Sequence, residues 1–289
     1  MTTGLIMARF LPPHLGHCCL LDFARQACDR VLICLLEEPG DLPAWPVRKA
    51  WVEELCPACE VVANPDGVRA DLLFGRRACE LALPGALRFP LEPLSIPSAE
   101  VRRDPLAWWH ALPPCVRGHY ARRVAIVGPE SCGKTTLARD LARRFETLWV
   151  PEFARGFLDG LARGEEICRP EDIPRIAQGQ RASEEAMARH CNRLLFCDTD
   201  LTTTALWSRY FFGDCPADVE RAARECKYWL TLLCAPDVPW VEDPQRVGQS
   251  CRQPFLEALR DRLAGRRVVE LRGSWQERLN TAVRAVETL

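Results

Sequence analysis

Short apolar runs alternate along this chain with longer segments whose leucines and alanines recur at helical spacing. In the first 120 residues, Gly4–Phe10 and Val31–Leu36 read as strands, with Leu15–Cys28 as the helix between them. Further on, Val124–Val127, Leu148–Val150, Leu194–Cys197, Trp229–Leu233 and Val268–Leu271 read as strands, and Thr136–Phe145 as a helix. Strands that are apolar throughout belong in parallel sheets covered on both faces by helices. Pro113 and Pro114 break the chain after Trp108-Trp109 and place a boundary within Pro113–Tyr120. The predicted fold class is α/β, with two tandem parallel-sheet domains over residues 1–120 and 121–289 and no internal repeat.

A length of 289 residues accommodates two domains, and 48% hydrophobic with 27% charged residues is ordinary globular composition. The formal net charge of −1 provides no broad attraction to nucleic acid or to an anionic membrane, so neither is expected as a partner. The 16 cysteines are scattered, several within apolar runs (Cys34, Cys197, Cys234), which argues against a disulfide framework and for a reducing cytoplasm. Cys56-Pro57-Ala58-Cys59 has no second ligand pair at zinc spacing and reads as structural. The first dozen residues lack the pattern of a signal peptide, and the longest apolar stretches, near Val31–Leu36 and Tyr228–Ala235, are far short of a membrane span. The expectation is a cytoplasmic protein, with the oligomeric state left open.

The strongest chemical signal is Gly128-Pro129-Glu130-Ser131-Cys132-Gly133-Lys134-Thr135, which fits G-x-x-x-x-G-K-[ST] and is followed by Thr136 at the start of the predicted helix. An apolar strand before it and a helix after it are the context a phosphate-binding loop needs. The glycines let backbone N–H groups converge on phosphate oxygens, and the helix N-terminus adds partial positive charge. Only three lysines occur among 38 basic residues, and one of them is Lys134. Lys134 is expected at the β- and γ-phosphates of ATP, and Thr135 at Mg²⁺.

Downstream, Leu194–Cys197 ends in Asp198-Thr199-Asp200. A strand-end carboxylate beside the P-loop holds Mg²⁺, a role assigned to Asp198, with Asp200 as its support or as a substrate ligand. Glu152 follows the strand Leu148–Val150, where it can accept a proton from an acceptor hydroxyl or hold ribose hydroxyls, and Arg155 can steady phosphate. Pro239-Trp240-Val241-Glu242-Asp243-Pro244-Gln245-Arg246 reads as a lid leading to Arg252. Lid arginines close over a transferring phosphoryl group. Trp240 could stack on a flat cationic substrate or simply pack.

Ahead of the P-loop, Ala8-Arg9-Phe10-Leu11-Pro12-Pro13-His14-Leu15-Gly16-His17 follows the first strand and opens a helix. Two imidazoles at a helix start can face one anion, which suits attack on the α-phosphate of ATP. This half resembles the nucleotidyltransferase superfamily that adenylylates small phosphorylated substrates, whose signature is G-x-F-x-P-x-H-x-G-H. Ala8 stands at the glycine position. The candidate for the family's second signature, I-S-G-T-x-[IV]-R, is Ile96-Pro97-Ser98-Ala99-Glu100-Val101-Arg102, which matches at Ile96, Val101 and Arg102 but has Pro97, Ser98 and Ala99 at the S-G-T positions, where Ser98 could partly compensate. The resemblance implies a site at Arg9, Phe10, His14, His17, Ser98 and Arg102.

Taken together, H-x-G-H, V-R-x-x-P-x-x-W-W-x-x-x-P, G-x-E-S-x-G-K-[ST]-T, E-[FY]-x-R, D-T-D and P-W-V-x-D-x-x-R resemble the NadR family, in this order and over nearly the whole chain. The resemblance implies an ATP- and Mg²⁺-dependent kinase converting nicotinamide riboside to nicotinamide mononucleotide, with Lys134, Glu152, Asp198, Arg246 and Arg252 at the transferring phosphoryl. Arg155, Asp200, Trp240 and Asp243 would lie near the substrate. It further implies adenylylation to NAD by the first half. The sequence begins at its first strand, without the helix-turn-helix domain that some members carry, so DNA binding is not implied. Two alternatives stand beside this reading: a kinase whose front half is vestigial, and an ATP-binding sensor.

Overall fold

The computed structural model describes residues 1–63, 67–75, 87–89, 96–163, 168–242 and 248–288. These form two α/β units, Met1–Tyr120 and Ala121–Leu289. In the first, β1 (Thr3–Ala8), α1 (Leu15–Ala27), β2 (Arg30–Leu35), α2 (Trp45–Leu55), β3 (Glu60–Val62), β4 (Leu72–Phe74), β5 (Leu87–Phe89), α3 (Ser98–Arg103) and α4 (Pro114–Tyr120) follow in order. The strands are parallel in the order β3-β2-β1-β4-β5. Alternate residues of β1 serve opposite faces: Ile6 packs with Leu20, Leu21 and Ala24 of α1, while Leu5 and Met7 pack with Leu32 and Leu73. The predicted first strand stops at Ala8 instead of running to Phe10, because Phe10 adopts φ +46° and turns the chain inward.

Arg48 of α2 is fully buried and explains how the strand ends are held. Its guanidinium donates to Pro43 O (3.1 Å), Arg9 O (2.8 Å) and Leu36 O (2.9 Å), tying the exits of β1 and β2 to α2. Asp41 lies 3.6 Å away and also binds Arg9. Burial alone would raise the Asp41 pKa; hydrogen bonds from Arg9 and the Glu38 N–H, with the charges of Arg9 and Arg48, outweigh it and hold the carboxyl below its usual range.

One sequence expectation is corrected in this unit. Cys56 and Cys59 form a disulfide at the end of α2, where the turn brings their Cα atoms to 5.4 Å and Cys59 N–H donates to Cys56 O. The other 13 cysteines among the described residues are free.

In the second unit, β6 (Arg122–Val127), α5 (Lys134–Arg144), β7 (Leu148–Val150), α6 (Phe153–Leu161), α7 (Asp172–Ala188), β8 (Leu194–Asp198), α8 (Leu201–Phe212), α9 (Ala217–Glu225), β9 (Leu230–Cys234), α10 (Arg252–Arg262), β10 (Val268–Leu271) and α11 (Trp275–Glu287) follow. The order is β10-β9-β6-β8-β7, all parallel. Val124 and Ile126 of β6 face Leu137 and Leu141 of α5 and Ala282 of α11, while Ala125 and Val127 face Leu206 of α8 and Phe255 and Leu259 of α10. Strand order reverses at β6, so the crevice at its carboxyl end is where such a sheet binds ligands.

Replacing Arg48 with Met strands three buried carbonyls and the Asp41 charge. We expect Arg48→Met to lose about 3 kcal/mol of stability in residues 1–120, read by denaturant-dependent hydrogen exchange. Unchanged protection there would show that water replaces the guanidinium at no cost.

Candidate functional site

The loop from β6 to α5 is shaped by close packing. Gly128 has φ +151°, and a Cβ there would lie 2.5 Å from Cys234 O and 2.9 Å from Cys132 Sγ. Gly133, at φ +85°, is the left-handed residue from which α5 starts at Lys134, two residues earlier than the apolar pattern predicted. The loop's carbonyls point away from its concave side and find donors there. Lys134 Nζ (2.8 Å) and Cys132 Sγ (2.9 Å) reach Pro129 O, Arg252 reaches Ser131 O (3.1 Å), and Arg278 reaches Cys132 O (3.2 Å). Cys132 is 1% exposed, a thiol beneath the loop.

Thr135 Oγ1 donates to Asp198 Oδ2 at 2.6 Å, while Asp198 Oδ1 is buried without a partner. Hydroxyl and carboxylate oxygens side by side, one with spare acceptor capacity, fit Mg²⁺, which takes one or two protein oxygens and completes its shell with phosphate and water. Burial raises the Asp198 pKa to about 6, helped by Glu152 and opposed by Lys134 and the Thr135 hydrogen bond. Burial opposes the Lys134 charge, but Cys132, Glu152 and Asp198 outweigh it and raise its pKa.

Lys134 and Thr135 line a cavity of about 530 Å³. The rest of the P-loop from Glu130 to Thr136 lines it too, together with Glu152, Ala154 and Arg155, and Leu158, Ile173, Ile176, Trp207 and Phe211 give it an apolar and aromatic surface. Such a volume, mostly apolar with a few directed polar groups, is typical of a small-ligand site. Glu152 is the N-cap residue of α6, yet its side chain accepts no capping hydrogen bond.

Other expected site residues are placed differently. Asp200 is fully buried and caps α8, its Oδ1 accepting from Thr203 N and Oγ1 at 2.8 Å each, while its Oδ2 has no partner. Arg252 is 4% exposed; its terminal nitrogens donate to Ser131 O and Val238 O and brace the P-loop, while its Nε has no partner. Trp240 lies outside the cavity lining; the Arg252 guanidinium sits 5.8 Å from its ring, a protein cation in place of the expected substrate one. Val241 N–H donates to Ser131 Oγ at 2.9 Å, fastening this segment to the loop. Asp243 and Arg246 lie outside the described residues.

In the first unit, His14 Nε2 lies 2.8 Å from Ser98 Oγ, so the two motifs meet. The His14 and His17 rings are 3.9 Å apart. Burial lowers the His14 pKa to about 4, and burial together with His14 lowers that of His17 well below its ordinary value, so both are neutral at pH 7. His14 Nδ1 is buried without a partner. Arg9 is engaged by Glu38 (2.6 Å) and Asp41, Phe10 is buried against His17, and Arg102 is exposed on α3, one turn after Ser98.

Sequence reasoning passed over several residues here. Trp207 and Phe211 continue a stripe of α8 from Thr203 and Thr204, a helical spacing visible in the sequence. Gln180 and Glu184 lie on the buried stripe of α7 with Ile173 and Ile176, where polar residues interrupt an apolar pattern. Arg278, 1% exposed, also donates to Ala235 O (2.9 Å) and Gly273 O (3.0 Å) and pairs with Asp237; no local signal marks it.

A P-loop at the central strand, an acid on the neighbouring strand and a cavity lined by that loop define a nucleotide-binding protein of the P-loop kinase type. The AAA domain family model matches residues 123–278. The trifunctional NAD biosynthesis/regulator protein NadR of Escherichia coli (strain K12) is 25% identical over 99% of this chain and 82% of its own length. The protein of the same description from Salmonella typhimurium is 30% identical over 57% of this chain and 41% of its own. Two solved structures, of NadR protein with NAD and AMP-PNP and with NR, match at a TM-score of 0.77. Their identities are 19% and 20%, over 99% of this chain and 96% and 95% of theirs, and they establish a shared fold. The chain belongs to the AAA domain family, and its similarity to the NadR proteins extends over 99% of its length.

Glu184 supplies a prediction. It accepts from Tyr228 OH (2.9 and 3.1 Å) and from Gln180, with Arg123 at 3.9 Å and Cys197 and Asp200 nearby. Burial raises its pKa to about 7 despite these hydrogen bonds. The folded state then binds this proton more tightly than the unfolded chain, so its contribution to stability is full below about pH 4.5 and is lost as pH rises through about 7. Glu184→Gln should therefore flatten the fall in thermal midpoint between pH 4.5 and 7; a slope identical to that of the wild type would refute it.

Proposed function

We propose that the second unit, residues 121–289, is a cytoplasmic Mg²⁺-dependent kinase that transfers the γ-phosphoryl of ATP to the 5′-hydroxyl of nicotinamide riboside. The observation that carries this reading is one cavity lined by the P-loop, by Glu152 and by apolar and aromatic side chains. A sensor needs no second compartment for an acceptor. The similarity to NadR proteins, one of them solved with NR, supports this choice of acceptor.

On nucleotide binding, Lys134 leaves Pro129 O for the β- and γ-phosphates, and the loop amides take the remaining oxygens. Thr135 and Asp198 would hold Mg²⁺ in place of their mutual hydrogen bond, and the cation would neutralise charge developing on the phosphates. The planar nicotinamide ring lies against Trp207 and Phe211, leaving the ribose hydroxyls toward Glu152. The Glu152 carboxylate, not spent on capping α6, accepts the proton of the attacking hydroxyl. That hydroxyl oxygen forms a bond to the γ-phosphorus as the bond to the bridging β–γ oxygen breaks, and ADP departs with the electron pair. Arg155, on the cavity wall, steadies the transferring group, and Arg246 of the lid is assigned the same task.

Residues 1–120 are assigned adenylylation of the product to NAD. His14, His17, Ser98 and Arg102 would contact the triphosphate, the two histidines as neutral donors. The meeting of His14 with Ser98 supports this over a vestigial unit.

Mass spectrometry after incubation with Mg-ATP and nicotinamide riboside should find nicotinamide mononucleotide, and NAD if both units act. Lys134→Ala should abolish the first product while leaving the thermal midpoint unchanged. A folded Lys134→Ala that still phosphorylates the riboside would sink the kinase assignment. Mononucleotide without NAD would limit the protein to the kinase step.

A further inference from the structure

Glu152 stands at the start of α6, where a helix leaves its first N–H groups without partners. An N-cap side chain ordinarily satisfies one of them, but that of Glu152 does not. The acceptor comes from another helix: Gln180 of α7 takes the Phe153 N–H on its Oε1 at 3.0 Å. Gln180 is 1% exposed and lines the same cavity as Glu152.

The geometry points to Gln180 and Glu184 as positioning residues that fix the first turn of α6 and so aim the Glu152 carboxylate into the cavity. This inference rests on the kinase reading for its activity test and on the fold alone for its structural one.

Three further observations support it. First, Gly179 lets α6 approach, because a Cβ there would lie 2.2 Å from the Phe153 ring. A glycine inside a helix is less favourable than alanine, and close docking of Phe153 is the compensating gain. Second, the Gln180 amide is held in one orientation: its Nε2 donates to Glu184 Oε1 at 3.2 Å, leaving Oε1 for Phe153. Third, Glu184 is itself fixed by Tyr228 OH on both oxygens and by Arg123. The relay therefore runs from the edge of β9 through α7 to α6. It releases Glu152 from capping its own helix.

The test combines exchange and kinetics on the full chain. In Gln180→Leu, amide exchange at Phe153 should accelerate at least tenfold relative to the rest of α7. For phosphorylation of nicotinamide riboside, kcat should fall about 10- to 100-fold, as for a slightly misplaced reactive group, while the KM for ATP stays within twofold. Combining Gln180→Leu with Glu152→Gln should be no slower than Glu152→Gln alone, because Gln180 acts through Glu152. The exchanged pair Gln180→Glu with Glu184→Gln keeps an acceptor for Phe153 and a donor between the two positions, and should restore most of the lost kcat.

Unaltered exchange at Phe153 overturns the inference whatever the substrate is. Additive losses in the double variant overturn it too, since they would mean that Gln180 contacts substrate directly. Absence of product from the wild type, with exchange at Phe153 still accelerated in Gln180→Leu, refutes the kinase reading and leaves the positioning of α6 standing.

Discussion

A phosphate-binding loop must turn its N–H groups inward, and its carbonyls are thereby forced outward into the protein, where each needs a donor. This requirement organises the second unit. Lys134 and Cys132 serve Pro129 O, Arg252 serves Ser131 O, and Arg278 serves Cys132 O. Two of these donors are guanidiniums almost fully buried, on helices that follow β9 and β10. A buried charge is costly unless its donors are satisfied, and each arginine meets several oxygens at once. Arg278 binds carbonyls at the end of β9 and at the start of α11, and pairs with Asp237. The loop and the far side of the sheet are thus one mechanical piece.

The first unit answers a similar demand with different residues. There the chain also leaves the central strand for a helix start, and a buried arginine again collects stray carbonyls, Arg48 taking those of Pro43, Arg9 and Leu36. What occupies the helix start differs. Lys134 keeps its charge because three acidic neighbours favour it, whereas His14 loses its own to burial and His17 to burial together with His14. One site offers a fixed cation to phosphate; the other offers neutral imidazoles beside the Ser98 hydroxyl.

How far the sequence revealed this follows from the range of each interaction. The strand–loop–helix around Lys134 was legible because all its determinants lie within twenty residues, and the α/β class because buried parallel strands are apolar throughout. Asp198 was found for the same reason, a strand ending in acid. Asp200 and Arg252 were given chemical roles by motif, but the structure uses one as a helix cap and the other as a brace. Spacing alone cannot distinguish a carboxylate facing substrate from one facing its own backbone. Arg278 lies 146 residues from the carbonyl it supports, and Gln180 lies 27 from the amide it caps. Neither pairing leaves a local trace, although a Gln and a Glu interrupting the apolar stripe of α7 were a visible anomaly.

The charge balance around the P-loop explains why cation and nucleotide belong together there. Two carboxylates, Asp198 and Glu152, act on one lysine, and burial together with Glu152 lifts the Asp198 pKa to about 6. A triphosphate alone would add negative charge beside an acid that already resists ionisation. A divalent cation alone would find only two protein oxygens, from Thr135 and Asp198, too few to hold it firmly. Arriving together, each would supply what the other lacks: phosphate oxygens for the cation's shell, and positive charge beside the Asp198 carboxylate. The hydrogen bonds that Lys134 and Thr135 make within the protein occupy the same polar groups, so those groups are satisfied before the ligand arrives and are exchanged when it binds.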